Sequence, residues 1–469
     1  MPTAAVRIRL AGGCGDGYMS PMKSVAAIVT TGIYCRPGCG ARPNPENRST
    51  FPLAAAAEAA GYRACLRCRP YRSAQVVPAS APELVCRGVR MILDGALDGQ
   101  TETVLAARLG LSPRHLRRLF AEHLGVTPDG LARSARAHSA RRLLDDTDLS
   151  ITQIAFAAGY GSLRQFNRAC HDIFRASPRE LRARRRVTDR LVADGGLALR
   201  LPYDDAFDWD GMLTYFEAHA VPGVEHVSGQ VYRRTVVIGG DPGVLELYPG
   251  DAQALTLVAH LPHWSEVMHL VKRARRIANL DLDLEPVLSI LAQDPVLAPS
   301  VASSPGRRPP GTWDPFETGV QAIIGQRKDP SAAARVMNDL VQKLGTRVGG
   351  LELLGLTHTF PAAEMLAAAD LSRLGLTRAE QQTIQAFSHA VSDDVVRFDG
   401  SLALEHLIEA LVAVPGLQMK TAHYLALRLG EPDACPIESV AAKAWRPWRA
   451  IAAMHLPAES TTAADRTAA

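Results

Sequence analysis

Apolar positions recur with helical spacing from residue 101 to 186. TETVLAARLGLSPRHLRRLFAEHLGVTP reads as a helix, a turn centred on Gly110, and a second helix capped by Ser112 with Pro113 at its first position. ITQIAFAAGYGSLRQFNRACHDIFRASPREL repeats the pattern, with its turn at Gly159 to Gly161 and a cap at Ser162. The two turn glycines are 49 residues apart, and LARSARAHSARRLLDDTDLS between them reads as a helix long enough to hold two units apart. In each second helix Leu or Phe takes the packing positions and basic or amide residues face out: Arg114, His115, Arg117 and Arg118, then Arg164, Gln165, Asn167 and Arg168. Two helix-turn-helix units so spaced would present recognition helices to successive major grooves of double-stranded DNA. A helical bundle with arginine faces is the plainer alternative.

The pattern changes near Leu197. Apolar and β-branched stretches (LALRLPY, QVYRRTVVIG, GVLELYPG, ALTLVAHL) alternate with helices such as DWDGMLTYFEAHA and EVMHLVKRARRIANL, which predicts a small α+β domain to about 295. VASSPGRRPPGT, residues 301–312, reads as an internal linker, and AESTTAADRTAA as a disordered tail.

Length and charge narrow the picture. A chain of 469 residues should hold three or four domains, because single cores rarely grow past about 250 residues. Residues 1–200 carry 30 Lys+Arg against 16 Asp+Glu, while residues 201–469 carry 22 against 32. Only the first part therefore has the electrostatic footprint of a DNA binder. There is no long charge-free apolar run and no signal peptide, so no membrane partner is expected and the reading is bacterial, cytoplasmic and nucleoid-associated.

Four of the eight cysteines fall early, Cys35 and Cys39 in TTGIYCRPGC and Cys65 and Cys68 in AGYRACLRCRP. CxxxC and CxxC pairs separated by 25 residues suit one tetrahedral zinc ion, and in a reducing compartment they read as metal ligands rather than disulfides. Arg36, Arg63, Arg67 and Tyr62 give the site a cationic surround fit for phosphate. A purely structural zinc knuckle and a site whose metal also does chemistry both fit the spacing. Cys14 reads as a spare thiol.

The stretch from about Thr30 to Pro70 resembles the N-terminal domain of the Ada adaptive-response family, whose acceptor is the cysteine of a G-I-Y/F-C-R-P segment, here Cys35. That resemblance implies transfer of a methyl group from a DNA methylphosphotriester to Cys35. A zinc-bound thiol stays deprotonated at neutral pH. Its methylation removes one negative charge beside the DNA backbone and so should tighten phosphate binding. Residues 85–186 resemble the AraC/XylS-type DNA-binding domain through I-A-F-A-A-G-Y and the P-R-E-L ending, which implies a transcription activator with RNA polymerase as partner.

The second half resembles the AlkA-type 3-methyladenine DNA glycosylases, through YRRT and RARRIANLDLD in the α+β part and a helix-hairpin-helix fold over 313–456. The family hairpin P-G-I-G-x-W-T-A is matched by Pro415, Gly416, Leu417, Gln418, Met419, Lys420, Thr421 and Ala422. Its second glycine is thus Gln418, expected to crowd a phosphate or force the turn open, and its pocket tryptophan is Lys420. Tyr424 follows as a pocket residue. The family's catalytic aspartate falls on Ser439, with Glu438 a carboxylate one residue early. About twenty residues are missing between Val440 and Ala444, Trp445, Arg446, Pro447, Trp448, Arg449, which should open the base pocket. The earlier G-Q-Q-V-S motif is altered to Gly325, Gln326, Arg327, Lys328, Asp329. Either excision is lost, or Lys420 and Glu438 substitute for the missing groups.

The expected architecture is multidomain and mainly α. A small α/β zinc domain at 1–80 precedes a double helix-turn-helix domain at 85–186, an α+β domain at 197–295, an all-helical helix-hairpin-helix domain at 300–457 and a tail at 458–469. Three functions stay open: a self-methylating activator carrying a glycosylase domain of doubtful activity, a regulator that is also an active DNA-3-methyladenine glycosylase, or a zinc regulator answering another thiol-reactive signal.

Overall fold

The computed structural model describes residues 24–36, 39–40, 44–72, 81–203, 206–251, 253–264, 266–436 and 441–456; Cys14, Glu438, Ser439 and the 458–469 tail lie outside the described residues. The chain forms two compact units. The first comprises Met1–Tyr71, Val77–His138 and Arg168–Arg175, the second Arg72–Val76, Ser139–Asn167 and Ala176–Ala469.

In the first unit β1 (Val25–Ile28), β2 (Ile33–Cys35), β3 (Arg48–Phe51) and β4 (Arg63–Ala64) form a sheet in the order β3-β1-β2-β4, with α1 (Ala54–Ala59) before β4. β2 pairs antiparallel with β1 and parallel with β4, which sets the strand ending in Cys35 beside the one leading to Cys65. α2 (Glu83–Leu93), α3 (Glu102–Arg108), α4 (Pro113–Leu124) and the start of α5 (Pro128–Asp146) follow. Gly110 takes φ +69°, the left-handed region a tight helix-to-helix turn requires, and the Ser112 side chain accepts from the His115 N–H at 3.2 Å to cap α4. Leu105, Leu116, Phe120 and Leu124 close around Val85, Val89 and Ile92, and Ala55 of α1 joins the same core.

Outside that unit, α6 (Ile151–Ala157) and α8 (Pro178–Ala183) each begin with a reciprocal cap, Ser150 with Gln153 and Ser177 with Glu180. Between them in sequence lies α7 (Leu163–Phe174). β5 (Leu197–Pro202), α9 (Trp209–Ala218), β6 (Glu225–Ser228), β7 (Val231–Ile238), β8 (Asp241–Pro249) and β9 (Ala254–His260) build an antiparallel sheet in the order β5-β9-β8-β7-β6. On β7 Tyr232, Arg234, Val236 and Ile238 alternate onto the buried face. Arg234 is satisfied there by Glu317 at 2.7 Å and Glu225 at 3.1 Å. Burial pushes Glu317 up to about 7 against the pull of Arg234, so loss of the guanidinium would leave a costly buried carboxyl.

α10 (Val267–Ile277), α11 (Glu285–Leu291) and α12 (Ala298–Ser303) lead into α13 (Pro315–Gly325), α14 (Pro330–Leu344), α15 (Ala363–Ala368), α16 (Arg378–Ser392), α17 (Leu404–Val412), α18 (Met419–Arg428) and α19 (Arg449–Met454). Val320, Ile324, Leu340, Phe387, Leu411 and Leu425 form their common core. The 301–312 stretch, expected to be a linker, is a packed strut. Arg308 is 3% exposed and donates to the carbonyls of Asn279 and Leu282. A Cβ on Gly311 would fall 1.9 Å from the Arg276 carbonyl oxygen, so glycine stands there for close backbone approach rather than for freedom. Among the described residues no helix is long and apolar enough to cross a membrane.

The hairpin before α18 turns on Gly416, at φ +86°, where a Cβ would meet Thr383 Oγ1 at 2.1 Å. Gly416→Ala should lower stability by about 2–4 kcal/mol, from backbone strain and overpacking together, measured by denaturant unfolding. Adding Thr383→Ala should recover only the packing part. An unchanged unfolding midpoint for Gly416→Ala would contradict this turn geometry.

Candidate functional site

Four sulfurs converge in the first unit. The Sγ atoms of Cys35, Cys39, Cys65 and Cys68 all lie within 4.8 Å of one another. Cys35 closes β2 and is 4% exposed. Cys65 N–H donates to the Tyr34 carbonyl at 2.9 Å, which ties the second ligand pair to β2, and Arg69 N–H donates back to the Cys65 carbonyl at 3.0 Å to close the turn holding Cys68. Burial and the neighbouring thiols push Cys68 up to about 12 and Cys35 above the ordinary thiol range. Cys65 runs the other way: burial would raise it, but N–H donors of Cys68 and Arg67 hold it down. Four thiols in this geometry cannot ionise together unaided, and a dication among them removes the obstacle. Tetrahedral Zn–S bonds of about 2.3 Å place sulfurs about 3.8 Å apart, so the donor set and its spacing fit zinc. Arg36 and Arg67 are exposed beside the cluster, while Tyr62 and Arg63 are half-buried.

On α4, Arg114, Arg117 and Arg118 are exposed and His115 is half-buried. Arg117 is ion-paired to Glu102 of α3, a partner that sequence reading overlooked although Glu102 stands at the start of the preceding helix. α7 starts as expected, with Ser162 accepting from the Gln165 N–H at 3.2 Å. Arg164, Gln165 and Arg168 are exposed, and Asn167 is half-buried with its amide donating to the Leu163 carbonyl at 2.9 Å. Arg168 lies 3.8 Å from Asp172, an open surface pair of little strength.

The second unit holds a cleft of about 700 Å³, lined among others by His219, Gln321, Gln326, Gln418, Lys420 and Tyr424. Gln418 does not force the hairpin open: it sits at φ −83°, ψ 152° as the N-cap of α18, and the Leu417 N–H still donates to the Val414 carbonyl at 3.1 Å. An ordinary extended backbone accepts any side chain, so the change from glycine alters what faces the cleft rather than the turn. Tyr424 and Tyr215 hydroxyls meet at 2.6 Å, and Arg428 donates to both, at 2.8 and 2.7 Å. Tyr215 and Arg428 went unnoticed in the sequence because they lie 213 positions apart. Lys328 is paired to Glu380 at 3.0 Å. Asp329, the one carboxylate among the described residues lining the cleft, is engaged by the Ser331 hydroxyl at 2.7 Å and the Ala332 N–H at 2.9 Å. Trp445 leaves the cleft and packs with α11, donating to Asp294 at 2.7 Å.

A four-cysteine metal-binding module, a helix-turn-helix region and a glycosylase-like fold in one chain define a bifunctional alkylation-response protein. Family models agree: the metal binding domain of Ada matches residues 22–71, a helix-turn-helix domain 105–184, and the AlkA N-terminal domain 198–314. The chain belongs to the Ada/AlkA family of bifunctional transcriptional activator/DNA repair proteins. It is 36% identical over 461 residues to the "Probable bifunctional transcriptional activator/DNA repair enzyme AlkA" of Mycobacterium tuberculosis H37Rv, covering 92% of each chain. DNA-3-methyladenine glycosylase 2 of Escherichia coli K12 is 28% identical over 277 residues, 55% of this chain and 95% of its own. The bifunctional transcriptional activator/DNA repair enzyme Ada of the same organism is 32% identical over 160 residues, 34% of this chain and 44% of its own.

Two outcomes follow from this geometry. Cys39→Ser should lose bound zinc and the structure of its module, since ligation supplies much of the folding energy of so small a domain; elemental analysis with circular dichroism reads both, and full zinc retention would contradict the ligand set. Replacing Cys86, Cys170 or Cys435 should leave zinc content intact. Arg117→Ala or Arg168→Ala should weaken duplex binding, by about 1–3 kcal/mol at one sequence position for a base reader, or with a salt slope shallower by about 1 for a phosphate contact. Unchanged affinity across salt for both would remove these helices from the contact surface.

Proposed function

We propose that the protein is a single-use methyl acceptor and DNA-binding regulator. The convergence of Cys35, Cys39, Cys65 and Cys68 at the end of a buried strand, with exposed Arg36 and Arg67 alongside, carries this reading. Zinc held by the four cysteines would keep their sulfurs deprotonated at neutral pH. Arg36 and Arg67 hold the DNA backbone at the cluster. The Cys35 thiolate then attacks the methyl carbon of a methylphosphotriester: the S–C bond forms as the C–O bond breaks, and the electron pair leaves with the phosphodiester. Cys35 becomes a neutral thioether, so the protein surface facing the DNA gains one unit of positive charge. α4 and α7 then hold promoter DNA more tightly and RNA polymerase is engaged from there.

In the second unit we propose a cleft that binds DNA with little or no base excision. Its wall carries Lys420 and Gln418, and its described carboxylate, Asp329, is committed to capping α14. A cationic alkylated base leaving a positively charged sugar needs an aromatic face and a carboxylate free to stabilise that charge, and a lysine supplies neither.

Full-length protein incubated with duplex bearing one methylphosphotriester should acquire a single methyl group on the peptide containing Cys35, read by mass spectrometry. Methylation elsewhere, or none, would sink the acceptor assignment. On duplex containing 3-methyladenine, base release should run at least about a hundredfold slower than for the E. coli glycosylase. Comparable turnover would overturn the second proposal, and loss of that turnover and of a borohydride-trapped adduct in Lys420→Ala would move the chemistry to Lys420.

A further inference from the structure

Behind the cysteine cluster lies a buried polar triad drawn from three elements. Tyr34, the residue before Cys35 on β2, is fully buried and its hydroxyl donates to Glu58 Oε1 on α1 at 2.6 Å. The same oxygen lies 2.6 Å from His138 Nε2 on α5, and the Tyr34 hydroxyl is 3.3 Å from that nitrogen. His138 is 1% exposed and clusters with the rings of Tyr71 and Phe174, with centroids at 6.4 and 5.9 Å from its own. Burial alone would raise the Glu58 carboxyl; the charge of His138 and hydrogen bonds from His138, Ser134 and Tyr34 hold it below its ordinary value instead. A carboxylate taken out of water, with Oε1 shared by partners on two other elements, carries a desolvation cost that apolar packing would avoid.

The triad begins one residue from Cys35, at the buried Tyr34 side chain. Cys35 is 4% exposed, so a methyl group added at its sulfur must be accommodated by movement of the strand end or of the ligand turn. The Tyr34 carbonyl accepts from Cys65 N–H, so β2 and that turn shift together. Any shift of Tyr34 is felt at Glu58 and, through the shared Oε1, at His138. We infer that Tyr34, Glu58 and His138 couple the state of Cys35 to α5, the helix that in sequence joins the two helix-turn-helix units. These are positioning residues: none touches the methyl group or the DNA. The inference rests on the reading of Cys35 as methyl acceptor.

The test compares full-length wild type with Tyr34→Phe, Glu58→Gln and His138→Gln. For each, the affinity for unmodified duplex is measured before and after stoichiometric methylation of Cys35, together with zinc content and the rate of methyl transfer. Coupling between sites is typically about 5–150-fold, and wild type should show a ratio in that range. In the variants the ratio should fall to near one while zinc content and methyl transfer persist, and the Glu58→Gln, His138→Gln double variant should lose no more than either single one. A scaffold role would lower thermal stability yet leave the ratio as in wild type, and that result overturns the inference. A wild-type ratio of one would overturn the methyl-switch reading beneath it. Should Glu58→Gln not fold, Tyr34→Phe, which removes one hydroxyl, decides between these outcomes.

Discussion

Four sulfurs held within 4.8 Å of one another impose the constraint on which the first unit depends. Burial and the neighbouring thiols push Cys35 and Cys68 up while backbone N–H donors hold Cys65 down, and four thiolates this close would repel unless a cation stood among them. In the proposed reading ligation would do two jobs with one arrangement: it would close a small four-stranded sheet, and it would keep the Cys35 sulfur ionised. Cys35, the proposed acceptor, ends the strand whose backbone also anchors Cys65.

The inferred coupling rests on where that strand is pinned. α1 contributes Ala55 to the core that packs α2, α3 and α4, and Glu58 one turn later to the polar triad reaching His138. An apolar contact tolerates sliding, whereas a shared carboxylate oxygen fixes distance and direction. The proposed change of one charge and one methyl at Cys35 would pass into α5 by this route. The second unit is organised by a different rule, with arginines buried at its joints. Arg234 joins the sheet to α13 through Glu317, and Arg428 joins α18 to α9 through Tyr215 and to the 301–312 strut through the Gly311 carbonyl at 2.8 Å. Such joints keep a glycosylase-like frame intact even where the residues facing the cleft have changed.

Local chemistry was legible in the sequence and long-range pairing was not. Ser112, Ser162, Gly110 and Gly159 each declared a helix boundary, because caps and left-handed turns are decided by a few neighbouring residues. The cysteine spacing likewise carried its own geometry. Tyr34 and His138 stand 104 positions apart, and nothing in either neighbourhood marks the pair. The Pro- and Gly-rich 301–312 stretch has the composition of a linker, yet Gly311 is placed against α10 and Arg308 against the turn that follows it, contacts that composition does not reveal. Gln418 misled for the opposite reason: the family's glycine there need not be a conformational glycine, and an extended backbone takes glutamine without strain.

Zinc-edge X-ray absorption on the full-length protein tests the central requirement most directly, since it counts the atoms around the metal without replacing any of them. One zinc per chain surrounded by four sulfurs at about 2.3 Å is expected. A shell containing nitrogen or oxygen, or fewer than four sulfurs, would contradict the arrangement from which both folding and reactivity of the first unit are derived.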